Sequence, residues 1–326
     1  MYMVTGSPMQ GAMLSRLRAF LHACDLDYDD SIQFTAALME EDEILATGSL
    51  DGATIKCVAV SPAHQGEDLA AQIMTAVFME AAQRELRHLM LYTKPRNQYL
   101  FQGFGFHPVI RTADCLLMEN RHGGLRSFLS GIPKLQNLQG HVGCIVANGN
   151  PFTLGHRYLI ETAASECAHV YVFILSENRG MFSPEERLLM AREGCRDLGN
   201  VSVHPTGPYM VSSSTFPSYF IKDKVRVEDI HCELDIRLFG EKIAPELGIT
   251  RRYAGTEPGC AVTARYNQRM KELLPRFGIS FFEVERRLCE GEPISASRVR
   301  KLIADGRTDE LEGLLPPGTL SVIHSR

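Results

Sequence analysis

A strand pattern runs directly into a helix start over residues 146–156, which read Val146-Ala147-Asn148-Gly149-Asn150-Pro151-Phe152-Thr153-Leu154-Gly155-His156. In an open α/β sheet, ligands bind at the carboxyl ends of strands, where a helix N-terminus offers free N–H groups to a phosphate. Gly155 would let the backbone approach such a ligand, and His156 on the first helical turn would donate to phosphate oxygens. The alternative is a plain strand-to-helix turn with Thr153 as the N-cap and a solvated His156.

The regions around this turn predict a parallel sheet. Apolar runs predict strands at 142–147, 170–175, 201–204, 251–255 and 279–285, and helical periodicity predicts helices at 155–167 and 184–197. Such alternation is typical of a doubly wound α/β fold, so the C-terminal part is predicted to be Rossmann-like.

The N-terminal part has a different pattern. Strands are predicted at 33–38, 44–50, 54–60, 89–93, 106–110 and 115–119, with a long amphipathic helix at 69–86. Strands gathered before and after helices predict an α+β domain. Residues 121–140 contain glycines, a proline and several amides and are predicted to connect two domains, 1–138 and 139–326.

Composition limits the function classes. The chain has 326 residues, 44% hydrophobic and 22% charged, with a net charge of −5. No overall basic field would hold nucleic acid or an anionic membrane, and no apolar run reaches the roughly 18 residues of a membrane span. We therefore expect a soluble cytoplasmic protein with no nucleic-acid or membrane partner. The absence of a P-loop and of G-x-G-x-x-G disfavours a kinase, a GTPase or a dinucleotide enzyme.

A second turn with anion-binding chemistry lies near the C-terminus, at Pro293-Ile294-Ser295-Ala296-Ser297-Arg298-Val299-Arg300-Lys301. Hydroxyls near a helix start, free N–H groups and three cations within about one turn favour an anion site. The alternative is a Ser-capped amphipathic helix whose cations face water.

Together, the two turns resemble the paired T-x-G-H and I-S-S/T-x-x-R motifs of the nucleotidyltransferase superfamily. The runs at 150–158 (NPFTLGHRY), 212–220 (SSSTFPSYF), 239–245 (FGEKIAP) and 254–258 (AGTEP) are more narrowly similar to the citrate lyase ligases. That resemblance spans almost the whole chain. It implies an N-terminal domain like the GNAT acetyltransferases.

The resemblance implies a two-step reaction. ATP and acetate would give acetyl-adenylate and pyrophosphate, and the thiol of the coenzyme-A-like prosthetic group on the citrate lyase acyl carrier (gamma) subunit would then take the acetyl group. Mg²⁺ is expected with ATP, and its ligands are not assigned. The implied catalytic residues are His156 and Arg300, and the implied ATP contacts are Asn148, Asn150, Thr153, Gly155, His156, Gly255, Glu257, Ser295, Ser297 and Arg300.

Three features leave alternatives open. Asp68 stands where the acetyltransferase fold has a glycine at its pyrophosphate-binding turn, so the N-terminal domain is expected either to dock the pantetheine arm or the carrier subunit, or to be structural. The loop from Tyr209 to Phe220 would line an acetate pocket or form a turn. Arg187 either belongs to an ordinary helix start or reaches the nucleotide.

Two further functions compete with the ligase. One is a plain adenylyltransferase acting on a phosphorylated metabolite such as phosphopantetheine. The other is a nucleotide-sensing adaptor without catalysis.

Overall fold

The structure, a computed structural model, describes residues 1–65, 68–135, 138–178, 180–210, 212, 216–257 and 259–325. These residues form two compact units. The first comprises Met1–Leu125 together with Phe216–Leu234, and the second comprises Arg126–Thr215 together with Asp235–Arg326. The predicted division after residue 138 stays a prediction.

The first unit is built on a seven-stranded mixed sheet in the order β1-β2-β3-β4-β5-β7-β6. Strands β4 and β5 pair in parallel, whereas the other neighbours pair antiparallel. The elements are β1 (Tyr2–Gly6), α1 (Gly11–Ala23), β2 (Phe34–Glu40), β3 (Glu43–Asp51), β4 (Thr54–Val60), α2 (Leu69–Gln83), β5 (Met90–Thr93), α3 (Gln98–Gly103), β6 (His107–Arg111) and β7 (Leu116–Glu119).

Helix α2 covers one face of this sheet. Its side chains Leu69, Ile73 and Val77 are buried in one apolar cluster with residues of β2 to β5 and β7. Gly48 on β3 permits this packing, because a Cβ there would lie 2.6 Å from the Cγ2 atom of Ile73. Asp68 is the N-cap residue of α2 and makes no side-chain capping hydrogen bond. Gly66 and Glu67 of the predicted pyrophosphate turn lie outside the described residues, so the role assigned to Asp68 stays a prediction.

Strands β4 and β5 pair only at Thr54–Met90 and Ile55–Leu91, although both strands continue beyond these residues. A distant part of the chain packs beside the unpaired end of β5. The buried Tyr219 donates its hydroxyl to the carbonyl of Tyr92 at 3.0 Å, and the ring of Phe216 meets the Tyr92 ring edge-on at 5.6 Å. Because unpaired strand carbonyls need partners when buried, this packing explains why residues 216–234 belong to the first unit.

The second unit contains a parallel five-stranded sheet in the order β10-β9-β8-β11-β12. Helix α4 (Gly124–Ser130) lies at its start. Helix α7 (Val227–Leu238) begins in the first unit and ends in the second. The further elements of the second unit are β8 (Val142–Ala147), α5 (Leu154–Glu166), β9 (His169–Ile174), α6 (Pro184–Gly194), β10 (Val201–Pro205), a π-helical turn (Phe239–Ile243), α8 (Ala244–Leu247), β11 (Arg251–Gly255), α9 (Ala261–Leu273), β12 (Ser280–Val284), β13 (Leu288–Cys289), β14 (Glu292–Pro293), α10 (Ala296–Ala304) and α11 (Pro317–His324).

The predicted fold class is confirmed: an α+β unit is followed by a doubly wound parallel sheet. The predicted strands and long helices appear within a few residues of their expected ends. The segment predicted as a connector, 121–140, contains helix α4. Strand β1 was not predicted, because it is a largely exposed edge strand without an alternating pattern.

The hydroxyl of Tyr219 gives a test of the packing beside β5. Tyr219→Phe removes a buried hydrogen bond to the Tyr92 carbonyl, so the free energy of unfolding should fall by about 1–3 kcal/mol. Tyr2→Phe is the matched control: that hydroxyl also donates to a backbone carbonyl, of Glu41, but its residue is 53% exposed. Urea denaturation measures both. Equal losses in the two variants would contradict this account.

Candidate functional site

The candidate site lies at the carboxyl ends of β8 and β11, neighbours at the point where the strand order reverses. Successive strands run from β8 through β9 to β10 on one side, whereas β11 and β12 lie on the other. Connections that leave a parallel sheet in opposite directions open a crevice at this point, where open α/β sheets bind their ligands. The first predicted turn follows β8, and residues Thr256 and Glu257 follow β11.

The turn after β8 fixes the orientation and tautomer of His156. Thr153 is the N-cap of α5, and its backbone N–H donates to Nδ1 of His156 at 3.0 Å, while its hydroxyl lies 2.8 Å from the same atom. A backbone N–H can only donate, so Nδ1 is the acceptor and a neutral ring carries its proton on Nε2. Burial and the charge of Arg286 lower the pKa of His156 to about 4. His156 is therefore a neutral hydrogen-bond donor.

The second turn contacts the first. The buried Ile294 precedes Ser295, which caps α10 by accepting from the backbone N–H of Arg298 at 3.1 Å. A Cβ on Gly155 would lie 2.9 Å from the carbonyl oxygen of Ile294. The close approach that requires Gly155 is thus to the other turn of the same site.

Arg300 links the two turns. Its Nη1 donates to the carbonyl of Asn150 at 2.5 Å, and its Nη2 donates to the Ser297 hydroxyl at 3.0 Å. These bonds engage two of the five N–H donors of a guanidinium, so the half-buried side chain keeps donors for an anion. His156, Arg300 and the starts of α5 and α10 are brought together, as the sequence predicts.

Asn148 and Asn150 both accept hydrogen bonds from other residues of the protein. The fully buried Arg187 donates to the carbonyl and to Oδ1 of Asn148, at 3.0 and 2.5 Å, and also to the carbonyl of Glu177. Oδ1 of the buried Asn150 accepts from the backbone N–H of Phe182 at 3.2 Å. These contacts hold the turn after β8, and the nucleotide contacts predicted for the two asparagines stay predictions.

The turn after β11 is held by Asn267 and Arg286, which were not predicted from the sequence, and by the predicted Glu257. Asn267 on α9 donates to the carbonyl of Gly255 at 3.0 Å and to Glu283 at 2.8 Å. Arg286 donates through Nε to the carbonyl of Thr256 at 2.7 Å and forms an ion pair with Glu257. Arg286 follows the end of β12 by two residues, and a cation at a strand's carboxyl end was the signal that could have identified it.

Two other features singled out in the sequence are Arg298 and the loop from Tyr209 to Phe220. Arg298 faces the β13–β14 hairpin, where it donates to the carbonyl of Cys289 and pairs with Glu290 and Glu292. Of the loop proposed for acetate, Val211 and residues 213–215 lie outside the described residues. Ser212 donates its hydroxyl to Glu177 at 2.8 Å.

Comparison with known proteins identifies the family of this chain. Residues 142–323 match the model of the citrate lyase ligase C-terminal domain. A citrate (pro-3S)-lyase ligase from Klebsiella pneumoniae is 37% identical over 93% of this chain and 90% of its own length. The chain belongs to the citrate lyase ligase family. The ligase from Haemophilus influenzae is 38% identical, with 95% of each chain covered.

A solved structure is similar to part of this ligase-family chain. Escherichia coli ElaA covers 37% of the chain with 18% identity and a TM-score of 0.33. None of the helices in the described part of the chain has the length and apolarity of a membrane span.

The hydrogen bond to Nδ1 leads to a pH prediction. With a folded-state pKa of about 4, against an ordinary value of 6.5, His156 stays neutral through the physiological range. The stability that its neutral form contributes is complete above pH 6.5 and is lost as the pH falls towards 4. An NMR titration of the ring protons should give a midpoint well below 6.5. A midpoint at or above 6.5 would contradict the account of burial and hydrogen bonding given for this ring.

Proposed function

We propose that this enzyme activates acetate with ATP and transfers the acetyl group to a protein-bound thiol. ATP would bind at the carboxyl ends of β8 and β11. The acceptor would be the thiol of the coenzyme-A-like prosthetic group on the acyl carrier (gamma) subunit of citrate lyase, as the names of the relatives and the resemblance of the sequence imply. The acetylated lyase would be the active form.

One observation carries the proposal: the T-x-G-H turn and the I-S-x-S-x-x-R turn meet in one site. The approach of Gly155 to Ile294 and the bond from Arg300 to Asn150 join two helix N-termini. A helix N-terminus offers unpaired N–H groups and the positive end of a dipole, so the joined pair suits an elongated polyphosphate. The net charge of −5 adds no general attraction for anions, and binding depends on this local arrangement.

The first step needs positioning and charge stabilisation. An acetate oxygen attacks the α-phosphorus of ATP, a phosphorus–oxygen bond forms, and the bond to the β-phosphate bridging oxygen breaks to release pyrophosphate. The carboxylate is already the nucleophile, so the step needs no general base. His156 would donate from Nε2 to a phosphate oxygen, and Arg300 would stabilise the charge that develops on the leaving pyrophosphate.

The second step uses the acetyl-adenylate. The carrier thiol, as thiolate, attacks the carbonyl carbon, and the carbon–oxygen bond to AMP breaks. The products are a thioester and AMP, and the thiol proton passes to solvent. Cleavage of ATP to AMP and pyrophosphate thus drives thioester formation.

Mg²⁺ would accompany ATP as the counter-ion of its phosphates. Among the described residues, no group of three histidine, cysteine or acidic side chains is placed to hold a metal. Glu257, the carboxylate after β11, is paired with Arg286. These residues do not form an all-protein metal cage, whereas Mg²⁺ commonly binds through substrate phosphates and water.

The test is release of pyrophosphate and AMP from ATP with and without acetate and deacetylated citrate lyase. We expect release to require acetate and to rise with the lyase. His156→Ala should lower kcat by about 100-fold or more, as loss of one preorganised donor typically does, and Arg300→Ala should have a comparable effect. Arg196→Ala, which removes a cation 82% exposed on the same unit, is the control and should keep full activity.

Two results would contradict the proposal. Pyrophosphate release that does not require acetate but depends on a phosphorylated acceptor such as phosphopantetheine would indicate a plain adenylyltransferase. No release under any condition, from a protein that is folded by circular dichroism, would indicate a nucleotide-binding adaptor. The family assignment over most of the chain favours neither.

A further inference from the structure

Arg286 is a half-buried cation that neither motif includes. Its side chain is 28% exposed, and burial lowers its pKa. Nε donates to the carbonyl of Thr256, and Nη2 pairs with Glu257, whose side chain is 16% exposed. Neither contact uses Nη1. Burial of an ion pair costs desolvation energy. If this contact served only to stabilise the fold, two apolar side chains could replace it without that cost.

The strand register places Arg286 at the candidate site. Gly255 on β11 is opposite Val284, the last residue of β12, and Arg286 follows by two residues. Tyr253 is opposite Ile145 on β8, so all three strands end at one edge of the sheet. Neighbouring strands are about 4.8 Å apart, so the ends of β12 and β8 lie roughly 10 Å apart, within the reach of an extended triphosphate. The charge of Arg286 also acts on His156.

The charges at this edge are few. His156 is neutral, and Arg298 is paired with two carboxylates of the β13–β14 hairpin. A triphosphate brings about four negative charges and strengthens any nearby guanidinium contact. The Glu257 carboxylate would repel a triphosphate if it faced the phosphates directly. It lies against Arg286 instead and serves as the counter-ion of that side chain while ATP is absent.

We propose that Arg286 is a third phosphate-binding residue of the ATP site, and that Glu257 holds it in place through an ion pair which the β- and γ-phosphates replace in part. The inference rests on the proposed ATP-dependent function. It changes the role predicted for Glu257 from nucleotide contact to positioning residue. Nη1 would donate to a phosphate oxygen, while the bond from Nε to Thr256 keeps the guanidinium at the end of β11.

The test is calorimetric binding of α,β-methylene-ATP, which cannot release pyrophosphate, and of adenosine as a ligand without phosphates. Arg286→Met should raise the Kd for the ATP analogue about tenfold or more and leave the Kd for adenosine unchanged. Arg287→Met, at the exposed neighbouring position, is the matched control for loss of one charge. Glu257→Gln keeps a hydrogen-bond acceptor for Arg286 and removes a charge that competes with the phosphates, so it should change the Kd for the ATP analogue less than Arg286→Met does.

A second readout tests whether the charge of Arg286 acts at the site of His156. In Arg286→Met the pKa of His156 should rise above about 4, because one of the two causes of its depression has been removed. A structural role for Arg286 would instead weaken ATP and adenosine binding alike.

Several results would overturn the proposal. Equal affinity of wild type and Arg286→Met for the analogue would overturn the role of Arg286 alone and leave the ATP site intact. Tenfold weaker binding in Glu257→Gln, with Arg286→Met unchanged, would restore Glu257 as the nucleotide contact. No binding of the analogue to the wild-type enzyme would overturn the proposed function and this inference together.

Discussion

The arrangement of the site depends on one close contact between two distant parts of the chain. The first turn of α5 lies against the carbonyl oxygen of Ile294, at a distance that leaves no room for a Cβ on Gly155. The bond from Arg300 to the Asn150 carbonyl crosses the same contact. Because each turn alone is an ordinary capped helix start, the proposed anion site depends on this packing.

The supporting contacts explain how a small region becomes rigid. Arg187 binds the turn after β8 from a fully buried position, and Asn267 binds the turn after β11. These side chains come from α6 and α9, so one helix fixes each of the two strand ends. Preorganised donors of this kind lose little energy in reorientation when charge develops in a reaction. Such rigidity suits a reaction in which the protein supplies position and charge and the substrates supply the nucleophiles.

Much of this could be predicted from the sequence. Strand alternation and the two turns identified the parallel sheet and brought His156 and Arg300 to one site, because both signals are local in sequence. The tautomer of His156 was not predictable, since it depends on which ring nitrogen the Thr153 N–H meets. The place of Arg286 depends on the register of β12 against β11, and the packing of residues 216–234 depends on where β4 and β5 separate. Both features depend on tertiary structure, and no local sequence pattern indicates them.

The central claim is that the joined turns form a site for adenylation of acetate. Exchange of labelled pyrophosphate into ATP, measured without citrate lyase, tests this most directly because it reports reversible formation of the adenylate alone. The account predicts exchange that requires acetate and is lost when Arg300 is replaced by alanine. Exchange that proceeds equally without acetate, or that survives the loss of Arg300, would contradict it.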